Sequence, residues 1–163
     1  MDCAEIETVL PYAPDLAQAF VKRNISLSGA ACPFPLPVIH ELVVNAIVHS
    51  DFSELATPIR VAVFDDRIEI ENPGNLLPGV TPASMKTGVS RLHNPHIAHV
   101  FREMSLMNDW GTGFGQVVEE LHSYGLPDPD VQELPGVVRV TVSLLPEPVS
   151  ELQLVPDDDN PEW

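Results

Sequence analysis

Three stretches of this chain carry residue types whose spacing could do chemistry: Glu41-x-x-x-Asn45, Asn72-Pro73-Gly74 and Gly111-x-Gly113-x-Gly115. The first lies in ELVVNAIVHS, where Leu42, Val43, Ala46 and Ile47 gather on one helical arc and Glu41, Asn45 and His49 on another, because residues four apart stack on the same side. Val44 and Val48 flank that polar line. A carboxylate and an amide among valines cost about 1–3 kcal/mol each if buried unpaired, so the line marks either a satisfied structural network or a site. Glycines opening a helix expose backbone N–H groups suited to phosphate. Taken singly, an Asn-Pro-Gly after a strand is an ordinary turn and a glycine-rich loop is common. Their order is more specific: helix, hairpin ending in the turn, long loop, then glycines opening a helix.

The elements that must position these residues follow from periodicity and punctuation. A helix is expected near Asp15 to Arg23, then a loop with Pro33 and Pro35. Pro37 suits the first turn of a helix running to about His49. IRVAVF and RIEIEN alternate with period two, so 59–72 reads as a β-hairpin turning at Asp65-Asp66, with Ile59, Val61, Val63, Ile68 and Ile70 facing the core. Residues 73–93, rich in Pro, Gly, Thr and Ser, read as a long loop. Asn94-Pro95 resembles a helix cap followed by proline at the first helical position, and Gly125 a left-handed stop before Pro127. VVRVTVSLL (137–145) reads as a strand, and the acidic, proline-rich stretch 146–163 as a disordered tail.

At 163 residues with a mean hydropathy of +0.06, the chain is long enough for one domain burying about 70% of its unfolded surface. It has no apolar run of membrane-spanning length and no basic-then-apolar start, which argues against a membrane span or signal peptide. Two cysteines, Cys3 and Cys32, make no disulfide framework and no zinc spacing; a cytoplasmic location is expected. Twenty-four acidic residues against 8 basic give a net charge of −16, which repels a phosphate backbone and makes direct nucleic-acid binding unfavourable. His93, His96 and His99 lack the Cys or carboxylate support of a zinc site.

The words HELVVNAIVHSDFS, FDDRIEIENPGNLLPGVT, HNPHIAHVF and WGTGFGQVVEELHSYGLPDP resemble the GHKL ATP-binding fold shared by gyrase B, the heat-shock chaperone ATPase, MutL and sensor histidine kinases. More narrowly, the chain resembles the ATPase-like C-terminal domain of bacterial transcriptional regulators labelled RecG-like or divergent-AAA. The resemblance runs from about Pro37 to Pro129 and takes in the strand near 137–144; no helicase motor motif is present. It implies an α+β fold, a two-layer α/β sandwich with a mixed, mostly antiparallel sheet and helices on one face. The domain would span 37–145, preceded by a helix and loop (1–36).

The resemblance implies that Asn45 would coordinate Mg²⁺ through its side-chain oxygen, a hard donor that suits this cation. Glu41 would take a proton from the water attacking the γ-phosphate, and Asn72 and Gly74 would meet the adenine. Gly111, Thr112, Gly113, Phe114 and Gly115 would form the phosphate cradle under a lid of roughly 78–110. Sensor kinases have Asn where this chain has Glu41, which favours hydrolysis over phosphotransfer. Three departures stand out: Asn72 replaces the usual aspartate, Leu76 a glycine and His93 the arginine of closer relatives. Val48 likewise stands where sensor kinases commonly have lysine. Two classes therefore compete. One is an ATP–Mg²⁺ module, an ATP hydrolase in its active form, coupled to a protein partner, a fused regulatory domain or a second copy of itself. The other is an interaction or dimerisation module with a decayed pocket.

Overall fold

A computed structural model describes residues 2–6, 12–26, 33–53, 58–87, 91–107 and 113–144. The elements are β1 (Asp2–Ile6), α1 (Ala13–Ser26), α2 (Leu36–His49), β2 (Ile59–Val63), β3 (Arg67–Pro73), α3 (Pro82–Lys86), α4 (Pro95–Glu103), α5 (Gly113–Ser123), β4 (Asp130–Leu134) and β5 (Val137–Ser143). The strands form one sheet in the order β1-β2-β3-β5-β4. Every pairing among the described residues is antiparallel, so the mixed sheet expected from the resemblance narrows to an antiparallel one. The two-layer α/β sandwich stands. The segment expected as a tail, 146–163, lies outside the described residues.

The hairpin forms as its alternation dictates. Phe64 donates its N–H to the Arg67 carbonyl at 2.9 Å, closing the turn over Asp65-Asp66, and Ile59, Val61, Val63, Ile68 and Ile70 are all buried. The opposite face of the sheet carries ion pairs, Arg139 with Glu71 at 2.6 Å and Arg67 with Glu69 at 2.8 Å. Polar and charged on one side and apolar on the other, the sheet takes its helices on one face: α1 against β1 and β2, α2 against β3.

Helix α2 is central. Pro35, extended at φ −62° and ψ 119°, precedes it, and Pro37 occupies its first turn. Its buried residues include Val38, Ile39, Leu42, Val43, Val44 and Ile47, which gather on no single arc. A helix apolar nearly all round is buried on more than one side; here β3 lies on one, and α1 and α5 on others. This explains the valines beside the polar line: Val44 and Val48 are both 0% exposed. The line of Glu41 and Asn45 is where α2 meets α5.

Two local expectations change. Residues 73–93 contain a short helix, α3, because Thr81 and Ser84 form a capping box: Thr81 Oγ1 accepts from the Ser84 N–H at 3.1 Å and Ser84 Oγ from the Thr81 N–H at 2.8 Å. Asn94 stands at the N-cap position of α4, yet its side chain does not cap it. The amide instead donates to the carbonyls of Ile47, Val48 and Ser50, the last at 2.6 Å. It satisfies the free carbonyls at the end of α2 and ties the start of α4 to the C-terminus of the helix bearing the polar line. Gly125, at φ +70°, ends α5 as expected, with Leu126 N–H donating to the Leu121 carbonyl at 2.9 Å.

Candidate functional site

A cleft lies between α2, the sheet and the segment joining β3 to α5. Leu42, Asn45, Ala46 and His49 line it from α2, Ile70 and Asn72 from β3, Val138 and Val140 from β5, and Gly113 and Phe114 from α5. Val80, Met85, Arg91, His93 and Met107, from the connection between β3 and α5, line it as well. The interior is apolar with a few convergent polar groups, the usual character of a small-molecule site.

The cleft thus brings together Asn45, Asn72, Gly113 and Phe114. Asn72 is 6% exposed and its Nδ2 donates to the Pro73 carbonyl at 3.3 Å. With the amide nitrogen so engaged, its carbonyl oxygen is left to accept a donor. Gly74 does not line the cleft but shapes its edge. At φ +104°, it lets the chain turn beside Asp51, whose N–H donates to the Pro73 carbonyl at 2.8 Å. A Cβ there would stand 2.8 Å from the Asp51 Cβ, a space that only glycine fits. Gly115 lies off the cleft with nothing near its Cβ position, and Gly111 and Thr112 fall outside the described residues.

Glu41 is placed differently. It is 9% exposed and lines a second hollow between α1, α2 and α5, not the cleft. Gly113 separates the two spaces: a Cβ built on it would collide with Glu41 Oε1 and lie 3.6 Å from Asn45 Oδ1. Only a glycine lets the first turn of α5 pass this close to the polar line. Burial pushes the Glu41 carboxyl above its ordinary range, against the opposing charge of His40. Glu41 Oε1 and Asn45 Nδ2 are both buried with no hydrogen-bond partner among the described residues.

His49, Asn75, Arg91 and His93 complete the cleft's polar lining. Burial lowers His49 to about 4; a hydrogen bond to the Arg91 backbone opposes the shift and the charge of His93 adds to it. His93 Nδ1 is buried without a partner among the described residues. Arg91 gave no sequence signal, standing alone in a long connection. Its Nη1 donates to the Pro78 carbonyl at 2.9 Å, tying Arg91 to the chain 13 residues earlier.

The cleft thus lies between α2 and the glycine-opened helix α5, over one face of the sheet. The family model described as "Putative ATP-dependent DNA helicase recG C-terminal" matches residues 56–142, more than half the chain, and the chain belongs to that family. The match covers Asn72 and the glycines of α5 but begins after α2, so Glu41 and Asn45 lie outside it. The fold is similar to the crystal structure of the DIP2311 protein from Corynebacterium diphtheriae, with a TM-score of 0.69 and 22% identity over 82% of this chain and 27% of that one. This chain spans about a quarter of that protein's length. No curated protein matches it. Among the described residues no helix is long and apolar enough to cross a membrane.

Proposed function

We propose that this chain is an ATP–Mg²⁺-binding module of the GHKL type, coupling nucleotide state to a regulatory, transcription-related protein partner or fused domain. The observation that carries the reading is the meeting of Asn45 with Gly113 at one wall of a cleft whose other wall bears Asn72. The adenine lies toward Asn72, and the phosphates toward Gly113 and the first turn of α5. Among the described residues no cluster of three His, Cys, Asp or Glu could hold a metal by itself. Mg²⁺, which keeps waters and binds through few protein oxygens plus phosphates, suits a single amide such as Asn45. When bound, it neutralises phosphate charge in a chain whose overall field repels it.

Glu41 is the base proposed for hydrolysis, taking the proton of the attacking water. For that its carboxylate must pass the first turn of α5, since Gly113 stands between it and the cleft. That placement favours a second reading on one point, a module that binds nucleotide without turning it over. Release of phosphate by wild type and Glu41→Gln at equal ATP occupancy separates the two. Loss of most turnover in the variant, with binding kept, supports the hydrolase; equal release in both removes Glu41 as the base. ATP that fails to raise the melting temperature even at millimolar concentration with Mg²⁺ contradicts the nucleotide reading itself.

A further inference from the structure

Among the described residues no carboxylate lines the cleft. A carboxylate only accepts hydrogen bonds, so it suits the 6-amino group of adenine and repels the 6-oxo group of guanine or hypoxanthine. Without one, the choice of base falls to neutral side chains and to donors. Asn75 can donate or accept, His49 and His93 do either according to tautomer, and Arg91 only donates. None of the four turns a 6-oxo group away.

On the sheet wall Ile70, Val138 and Val140 are apolar, and Asn72 brings the polar side chain. The backbone donors beyond it are engaged: the Gly74 N–H with the Gly136 carbonyl at 2.9 Å, and the Leu76 N–H with Glu133 Oε1 at 3.0 Å. A base against this wall is therefore read by one amide, which donates at one end and accepts at the other. The amide is held lightly. Its Nδ2 reaches the Pro73 carbonyl at 3.3 Å, longer than the usual range of about 2.7–3.2 Å. That carbonyl already accepts from the Asp51 N–H at 2.8 Å. As it stands, the amide leaves its oxygen to accept from a 6-amino group. Turned over, it gives up one long bond and donates to a 6-oxo group instead.

We propose that the cleft admits purine nucleotides with a 6-oxo base as well as adenine nucleotides, Asn72 turning its amide to suit each. This rests on the nucleotide reading above and defines its substrate class. A preference for adenine remains, about tenfold, the worth of the hydrogen bond given up when the amide turns. A fixed acceptor in place of Asn72 would refuse the 6-oxo base far more strongly, because buried polar groups would then be left unpaired.

The test is calorimetric titration of the full chain with ATP and with inosine triphosphate, both with Mg²⁺; the two differ at the 6-position and at the neighbouring ring proton. Wild type should bind inosine triphosphate within about thirtyfold of ATP, and a wider gap overturns the proposal. Asn72→Asp, which fixes an acceptor at that point, should widen the gap at least about tenfold beyond the wild-type value. A smaller widening in a variant that melts as a folded protein overturns the role given to Asn72. Where the variant does not fold, the wild-type gap decides alone. ATP bound with inosine triphosphate refused defeats this inference only, whereas refusal of both defeats the nucleotide reading and this inference with it.

Discussion

Gly113 and Glu41 are in direct contact: no side chain larger than hydrogen fits at the first residue of α5 without displacing the carboxylate one turn from Asn45. The atom in the way is the end of a flexible side chain, so Gly113→Ala moves Glu41 rather than unfolding the protein. Alanine gains at most about 1 kcal/mol of helix propensity, offset by the shifted carboxylate. The melting temperature should change by only a few degrees. Nucleotide turnover, where wild type shows it, should fall about as far as in Glu41→Gln. A large stability loss measured by thermal melting would show that Glu41 cannot yield.

Gly74 offers the contrasting case. Its φ of +104° is one that side chains rarely adopt, and the atoms near its Cβ position, Asp51 Cβ at 2.8 Å and Asp51 N at 3.2 Å, are held by the backbone bond to Pro73. Gly74→Ala should cost about 1–3 kcal/mol from backbone strain alone, with the clash adding to it. Chemical denaturation should show a lower midpoint at unchanged slope.

His49 gives a pH signature. Burial holds it neutral, with a folded value of about 4 against an ordinary 6.5. The unfolded chain therefore binds the extra proton between those values, and stability rises with pH across the window. The stabilisation is present above about pH 6.5 and lost as pH falls toward 4, by at most about 3 kcal/mol. Glu41 acts oppositely: its raised carboxyl pKa favours the folded state at low pH, and that contribution is lost as pH rises through its folded value. Urea melts at pH 4.5, 5.5 and 7 should show a steeper rise in Glu41→Gln than in wild type. His49→Phe should flatten it.

Much of the fold was legible because its signals are local. The alternation of 59–72 specified a hairpin and its buried face, proline marked the starts of α2 and α4, and glycines marked both ends of α5, to within a residue or two. The strands β1 and β4 were missed: DCAEI and DVQEL lack strong alternation, and they exist because β2 and β5 offer them an edge. Asn94 was recognised as a cap residue, but which helix its side chain serves depends on tertiary packing. The contact of Asn45 with Gly113 joins residues far apart in the chain. No spacing rule gives it, nor the turning of Glu41 toward the outer hollow.

Asn72 should act through its oxygen. With Nδ2 bound to the Pro73 carbonyl, which also accepts from the Asp51 N–H, Asn72→Ala chiefly removes an acceptor. ATP affinity should fall by about tenfold, the worth of one hydrogen bond at a buried site. Asn72→Asp, which keeps the acceptor, should retain more affinity than alanine. Competition against a fluorescent ATP analogue reads both.

The central claim is that Asn45 holds the cation of an ATP–Mg²⁺ complex. Titration calorimetry of wild type and Asn45→Ala with ATP, each with and without Mg²⁺, tests it most directly. Wild type should bind at least about tenfold more tightly with Mg²⁺, a coupling of about 1.4 kcal/mol, and Asn45→Ala should bind with equal weak affinity in both conditions. Equal Mg²⁺ dependence in the two proteins, or no heat of binding from wild type at millimolar ATP, would contradict it.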